Sequence, residues 1–189
     1  MKKFLIILVC LTVIFVAALV YFNIQKTPLD SQKMMPDKNL KTPMKITSQA
    51  FQNNELIPKR YTCDGENINP PLYFEEIPEG TESLVLIVDD PDAPRGTFLH
   101  WLVFNIPPQT KLIEENSLPA GAQLGKNDFG QLKYGGPCPP YGTHRYLFKI
   151  FALDKKIDLK EGASLSEVLS AMRNHILADS ELIGLYQRE

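Results

Sequence analysis

The sequence is poor in the marks that common catalytic machinery leaves behind. Its three histidines and three cysteines include no close H-x-x-x-H or C-x-x-C pair, which argues against a metal knuckle or a helical zinc site. No G-x-S-x-G elbow occurs, so the usual α/β-hydrolase nucleophile is missing. There is no internal repeat and no low-complexity tract, which sets repeat architectures aside. An excess of positive charge is missing as well: 20 Lys+Arg against 22 Asp+Glu give a formal net charge of -2. The basic residues are scattered, so the chain lacks a nucleic-acid footprint.

The residues that are present suit a globular domain with appendages. Hydrophobic residues make up 44% and charged residues 22% of 189 positions, enough to bury a core. Fifteen prolines favour a sandwich with long irregular connections over a helical bundle. After Met1-Lys2-Lys3, the stretch from Phe4 to Phe22 carries no charge and has the length of a bilayer-crossing helix. An uncleaved signal anchor over 1-22 is the leading expectation. A cleaved signal peptide is the alternative, with Val16-Ala17-Ala18 as a passable cleavage motif. Either segment would carry the rest of the chain out of the cytoplasm. Residues 23-43, polar and broken by proline, read as a flexible linker.

From 44-189 the pattern is that of a mostly β domain. Ser83 to Val88 reads as a strand buried on both faces, and Phe98 to Ile106 and Arg145 to Ala152 are two further strands. Along the last of these, Tyr146, Phe148 and Ile150 share one face, with Leu147, Lys149 and Phe151 on the other. Weaker strands are expected at Lys45 to Ser48 and Leu72 to Phe74. One helix is signalled by a capping box, Ser164 with Glu167, and by Leu165, Val168, Leu169, Met172 and Ile176 at helical spacing. Short strands, many turns and one late helix point to an antiparallel sandwich with helical decoration.

Two constellations stand out against this frame. Asp89-Asp90-Pro91-Asp92-Ala93-Pro94 ends the first strong strand, and His100 lies near the start of the next. If these strands pair, the proline-stiffened loop brings Asp90 close to His100. A histidine inside FLHWLVF needs a partner, and a carboxylate is a natural one that would favour the charged imidazole. The second is Tyr134 to Tyr146, YGGPCPPYGTHRY, a glycine- and proline-dense loop entering the third strand. His144 and Tyr146 share a face there, with loop N–H groups nearby; such converging donors suit a small oxyanion. Taken singly, each residue has a plain reading as a turn or core residue.

Jointly, DDPDAPRGTFLHWLVFNIP and YGGPCPPYGTHRYLFKIFALD closely resemble the two motif regions of the phosphatidylethanolamine-binding proteins, also called Raf kinase inhibitor-like proteins. The opening MKITSQAF…IPKRYTCDGENINPPL resembles the bacterial YbhB/YbcL branch. The resemblance runs from about Met44 to the last residues. It implies a Greek-key antiparallel β-sandwich with a few peripheral helices, no cofactor, no metal and no catalysis. It also implies a pocket at one end made by Asp90, Asp92, His100, His144 and Tyr146. The wall of that pocket would include Gly135, Gly136, Pro139 and Pro140, and its ligand would be phosphate or a phosphorylated head group. Family members that bind kinases or inhibit proteases imply an alternative, an interaction module acting on an extracytoplasmic protein. Cys63 and Cys138 fall in loops near the pocket end by the same likeness, and an oxidising compartment permits them to pair. Whether they pair is left open.

The rival readings are a zinc hydrolase using His100, His144, Asp90 and Cys138, and a cysteine hydrolase built on Cys138 and His144. The first has no close ligand pair, and the second sets its cysteine between two prolines with nothing to mark an oxyanion hole. His175 reads as a partly exposed helix residue. Trp101, facing opposite to His100 by strict alternation, reads as core.

Overall fold

The computed structural model describes residues 44–188. The expected membrane segment and linker lie outside the described residues. Among the described residues, no helix is long and apolar enough to cross a membrane.

Within this range the chain forms nine strands, one helix and a short 3₁₀ turn at Lys59–Tyr61. In order these are β1 Lys45–Thr47, β2 Glu55–Leu56, β3 Leu72–Glu75, β4 Ser83–Asp90, β5 Phe98–Ile106, β6 Leu112–Ile113, β7 Gln123–Leu124, β8 His144–Leu153, α1 Leu165–Met172 and β9 Ile176–Tyr186. The three strong apolar runs of the sequence are β4, β5 and β8. They sit at the centre of a six-stranded sheet of order β2-β9-β8-β4-β5-β7, and a second sheet has the order β1-β3-β6. All these pairings are antiparallel except β2 with β9.

Every residue of β4 is buried, because the large sheet is covered on both sides. Leu84, Leu86 and Val88 join Tyr146, Phe148 and Ile150 in a core shared with Ile46, Leu72, Phe74 and Ile113 of the small sheet. The intervening Val85 and Ile87 join Phe151 and Leu153 in a second core closed by Val168, Leu169 and Met172 of α1. The period-2 reading of β8 is thus realised, with each face buried in a different layer. Lys149 also points to the second face. It is buried, and its Nζ donates to both carboxylate oxygens of Asp89, at 3.0 and 2.9 Å.

The helix is shorter than its apolar spacing predicts. Its capping box forms as expected, with Ser164 Oγ accepting from Glu167 N–H and Glu167 accepting from Ser164 N–H. It stops at Met172, however, because Arg173 leaves the helical region and Asn174 takes a positive φ of 64°. Ile176 therefore opens β9 instead of ending the helix. His175 sits in the connecting turn, where its Nδ1 bonds Asp154 Oδ1 at 2.8 Å. This corrects the placing of His175 and Ile176 on the helix and adds a long strand that the periodicity did not disclose.

Candidate functional site

The site begins with an irregularity in β5. On β4, Val88 pairs with Trp101 and Asp89 with Leu99, so one step on β4 spans two on β5 and His100 is the extra residue of a β-bulge. The bulge breaks the alternation. Trp101 lies in the core between the sheets, and the His100 ring also reaches that side, edge-on to Tyr146 at 5.1 Å between centroids. The expectation that Trp101 and His100 face opposite ways is corrected by this extra residue.

The partner of His100 is also different from the one expected. Its Nδ1–H donates to the carbonyl of Gly135 at 2.7 Å, while Gly135 N–H donates back to His100 O at 3.0 Å. Burial, foremost, holds the His100 pKa below the ordinary histidine value; the Gly135 carbonyl and the charge of Asp90 oppose this without overcoming it. The ring is therefore not driven to the charged form by Asp90. Asp90 is committed elsewhere: its Oδ2 accepts from His144 Nδ1–H at 2.7 Å and its Oδ1 from Asp92 N–H at 2.8 Å. The side chains of Asp90 and His144 are about nineteen-twentieths buried. With both Nδ1 atoms occupied as donors, each imidazole has Nε2 left to meet a ligand.

Asp92 anchors the rim. Its carboxylate accepts two hydrogen bonds from the Arg145 guanidinium, at 2.8 and 2.7 Å, and one from Arg145 N–H at 3.0 Å. The Arg145 side chain holds the Asp92 pKa down to about 2. This fork-to-fork pair staples the loop after β4 to the start of β8.

The glycine loop forms a wall clamped to residues 61–67. Tyr134 Oη–H donates to Tyr61 O at 3.0 Å, Gly136 N–H to Asn67 Oδ1 at 2.7 Å, and Cys63 N–H to Pro137 O at 3.0 Å. A disulfide joins Cys63 to Cys138, with Cα atoms 5.4 Å apart, which answers the pairing left open by the sequence. The bonded sulfur of Cys138 is neither a nucleophile nor a zinc ligand, so the cysteine-hydrolase reading loses its nucleophile and the zinc reading one of its four ligands. Gly136 is dictated by this clamp: a Cβ there would stand 2.6 Å from both Asn67 Oδ1 and Tyr61 O. Pro139 is buried and Pro140 exposed where the loop leaves the wall.

Tyr146 completes the arrangement. It is 1% exposed, yet its hydroxyl makes no hydrogen bond of good geometry among the described residues, although Cys138 N–H and the Asp90 carboxylate are its polar neighbours. Burial first, then the Asp90 charge, pushes its pKa well above the usual phenol value, while the nearby Cys138 N–H pulls the other way. The hydroxyl is thus a neutral donor beside Asp90, the wall amide of Cys138 and the His100 ring. Buried hydroxyls are rarely left without a partner, and where one is, an explanation is owed.

The structure brings Asp90, His100, His144, Tyr146, Gly135 and Gly136 into one neighbourhood, with Asp92 on its rim. Sequence reasoning missed Asn67, which has a left-handed φ of 59°, and the Tyr134 anchor. It also missed Phe129, whose ring stands edge-on to Phe98 and His100 at 4.8 and 5.4 Å, and Tyr141, edge-on to His144 at 6.4 Å. Phe129 and Tyr141 are 44% and 70% exposed. Aromatic residues in polar, glycine-rich loops were the available signal.

Residues 47–187 match the family model described as phosphatidylethanolamine-binding protein. A UPF0098 protein of Methanothermobacter thermautotrophicus is 51% identical over 150 residues, covering 77% of this chain and 99% of the relative. One from Aquifex aeolicus is 51% identical over 153 residues, covering 77% and 90%. Among solved structures, a phosphatidylethanolamine-binding protein homologue from Chlamydia trachomatis aligns with TM-score 0.75 at 42% identity, covering 77% of this chain and 98% of that one. YbcL of E. coli, described as a member of the mammalian family, aligns with TM-score 0.73 at 33% identity, covering 77% and 99%.

Proposed function

The chain belongs to the phosphatidylethanolamine-binding protein family, and from that premise we propose that it binds, without catalysis, a small anion or phosphorylated head group between His100, His144 and Tyr146. The observation that carries this reading is the buried Tyr146 hydroxyl with no partner among the described residues. The Tyr146 ring lies edge-on to His100, the Asp90 carboxylate near its hydroxyl holds His144, and both imidazoles have their Nδ1 atoms already occupied. A phosphate oxygen accepting from the hydroxyl would satisfy it. Protonated Nε2 atoms would donate to further oxygens, and a proton carried by the phosphate would serve a neutral ring. A single small anion makes few contacts and sheds its hydration, so affinity in the millimolar to micromolar range is expected, on the order of 4 to 8 kcal/mol. Titrating inorganic phosphate into the full chain in detergent, with the His100, His144 and Tyr146 side-chain NMR signals followed, tests this. Signals that stay put at about 50 mM phosphate, well above the weakest affinity expected, reject it.

The domain acts, in this reading, outside the cytoplasm, tethered by the apolar N-terminal stretch. The Cys63–Cys138 bridge supports that location, since structural disulfides persist in oxidising compartments. Protease added to cells stripped of any outer envelope should digest the domain if this is right; a domain protected until the plasma membrane is broken refutes it.

A further inference from the structure

We propose that the Cys63–Cys138 bridge is a redox control on the pocket: a dithiol that reduces it releases the Gly135–Cys138 wall and weakens anion binding. The inference rests on the anion-binding reading above and adds a regulator to it.

Both ends of the bridge lie outside the two cores. Cys138 is exposed and Cys63 half-buried, so a reductant can approach the bridge without opening a sheet. The link from bridge to pocket is short. Gly135, three residues before Cys138, accepts the hydrogen bond that sets the His100 ring. The backbone N–H of Cys138 itself acts on the Tyr146 phenol, pulling its pKa down against the effect of burial. On the other side of the bridge, Asn67 holds Gly136 N–H and Tyr61 O holds Tyr134. Pro139 and Pro140, which come directly after Cys138, have no N–H with which to re-anchor the loop. The covalent bond is thus the last tie of the wall to residues 61–67 before the chain runs out to the rim.

The chemistry is ordinary exchange. A thiolate of the dithiol attacks Sγ of Cys138, forming a mixed disulfide as the Cys63–Cys138 bond breaks and Cys63 departs as a thiolate that takes up a proton. The second thiol of the reductant then displaces Cys138. Two electrons and two protons pass from the dithiol, which ends as a disulfide, to two protein thiols.

The test compares the full chain in detergent, oxidised and after treatment with dithiothreitol, by NMR titration with inorganic phosphate and by amide hydrogen exchange. Reduction should weaken phosphate binding by about tenfold, the loss expected when one hydrogen bond to a charged group loses its alignment. It should speed exchange at Gly135 and Gly136 while Leu147 to Phe151 of β8 stay protected, and reoxidation should restore both. Equal affinity in the two states, with the oxidised protein binding, overturns the redox control and leaves the anion site standing. An oxidised protein that binds no phosphate overturns both. If reduction also strips protection from β8, the bridge holds the whole fold and not the wall alone, and the redox control of the pocket is overturned.

Discussion

Replacing Tyr146 by Phe should raise stability and lower affinity together, a combination that a plain core tyrosine would not produce. The hydroxyl is buried without a partner among the described residues, and a buried polar group left unmade costs about 1–3 kcal/mol. Removing it should therefore stabilise the ligand-free protein by about 1 kcal/mol, roughly 2–4 °C in Tm for a domain of this size. The same change deletes a donor to phosphate and should weaken binding about tenfold, or about 1.4 kcal/mol. Mass action then makes the two proteins cross. At phosphate about one hundred times the wild-type Kd, wild type gains about 2.7 kcal/mol and the variant only about 1.4 kcal/mol. Urea unfolding at low and high phosphate, with calorimetric titration of phosphate, reads all three quantities. A variant that is less stable without phosphate, or that binds phosphate as tightly as wild type, refutes the argument that this hydroxyl is kept for a ligand.

The same geometry sets other outcomes. Lys149→Met leaves the Asp89 carboxylate buried alone and should cost about 3–5 kcal/mol in urea unfolding, whereas adding Asp89→Leu should recover most of it. Burial already raises the Asp89 pKa; a raised carboxyl contributes stability at low pH that is lost as pH rises through its folded value, so the single variant should be weakest at alkaline pH. Gly136→Ala should abolish phosphate binding, since its Cβ meets the Tyr61 carbonyl and Thr62 backbone, while Gly135→Ala should be tolerated because the Phe129 ring it meets is exposed and can swing aside; NMR titration of both separates them. Burial depresses the His100 pKa, so stability from this residue is full above about pH 6.5 and lost as pH falls through the lower folded value. Sulfate, which does not titrate in this range, should accordingly bind more tightly at about pH 5.5 than at about pH 7.5, and His100→Gln should flatten that dependence; equal sulfate affinity at both values in wild type counts against His100 as a ligand donor.

Much of this fold is legible in the chain because its strongest signals are local. Ser83 to Val88 reads as a doubly buried strand from its unbroken apolar run, and the Ser164–Glu167 box marks the start of α1 without any tertiary information. β9 escaped because Ala178, Leu182, Gly184 and Tyr186 give it little hydrophobic contrast with the acidic residues between them. Asn174 then ended a helical pattern that Ile176 continued by coincidence of spacing. The buried pair of Lys149 with Asp89 was hidden for a similar reason: each residue alone looks like a surface charge, and only the pairing of β4 with β8 brings them together.

His100 shows where reading by pattern stops. Alternation from Trp101 puts the histidine on the wrong face, and closeness in sequence to Asp90 suggests the wrong partner. Both errors have one cause, the extra residue opposite Asp89. A bulge is a property of two strands in register, so it leaves no mark on either strand alone. Once His100 turns toward Tyr146, its Nδ1 meets the Gly135 carbonyl, and Asp90 is free to hold His144. The glycine wall, the histidine and the carboxylate are therefore one mechanical unit. Deleting one residue of β5 to restore regular pairing opposite Asp89 would turn the imidazole away from the site without altering Asp90, Gly135, His144 or Tyr146.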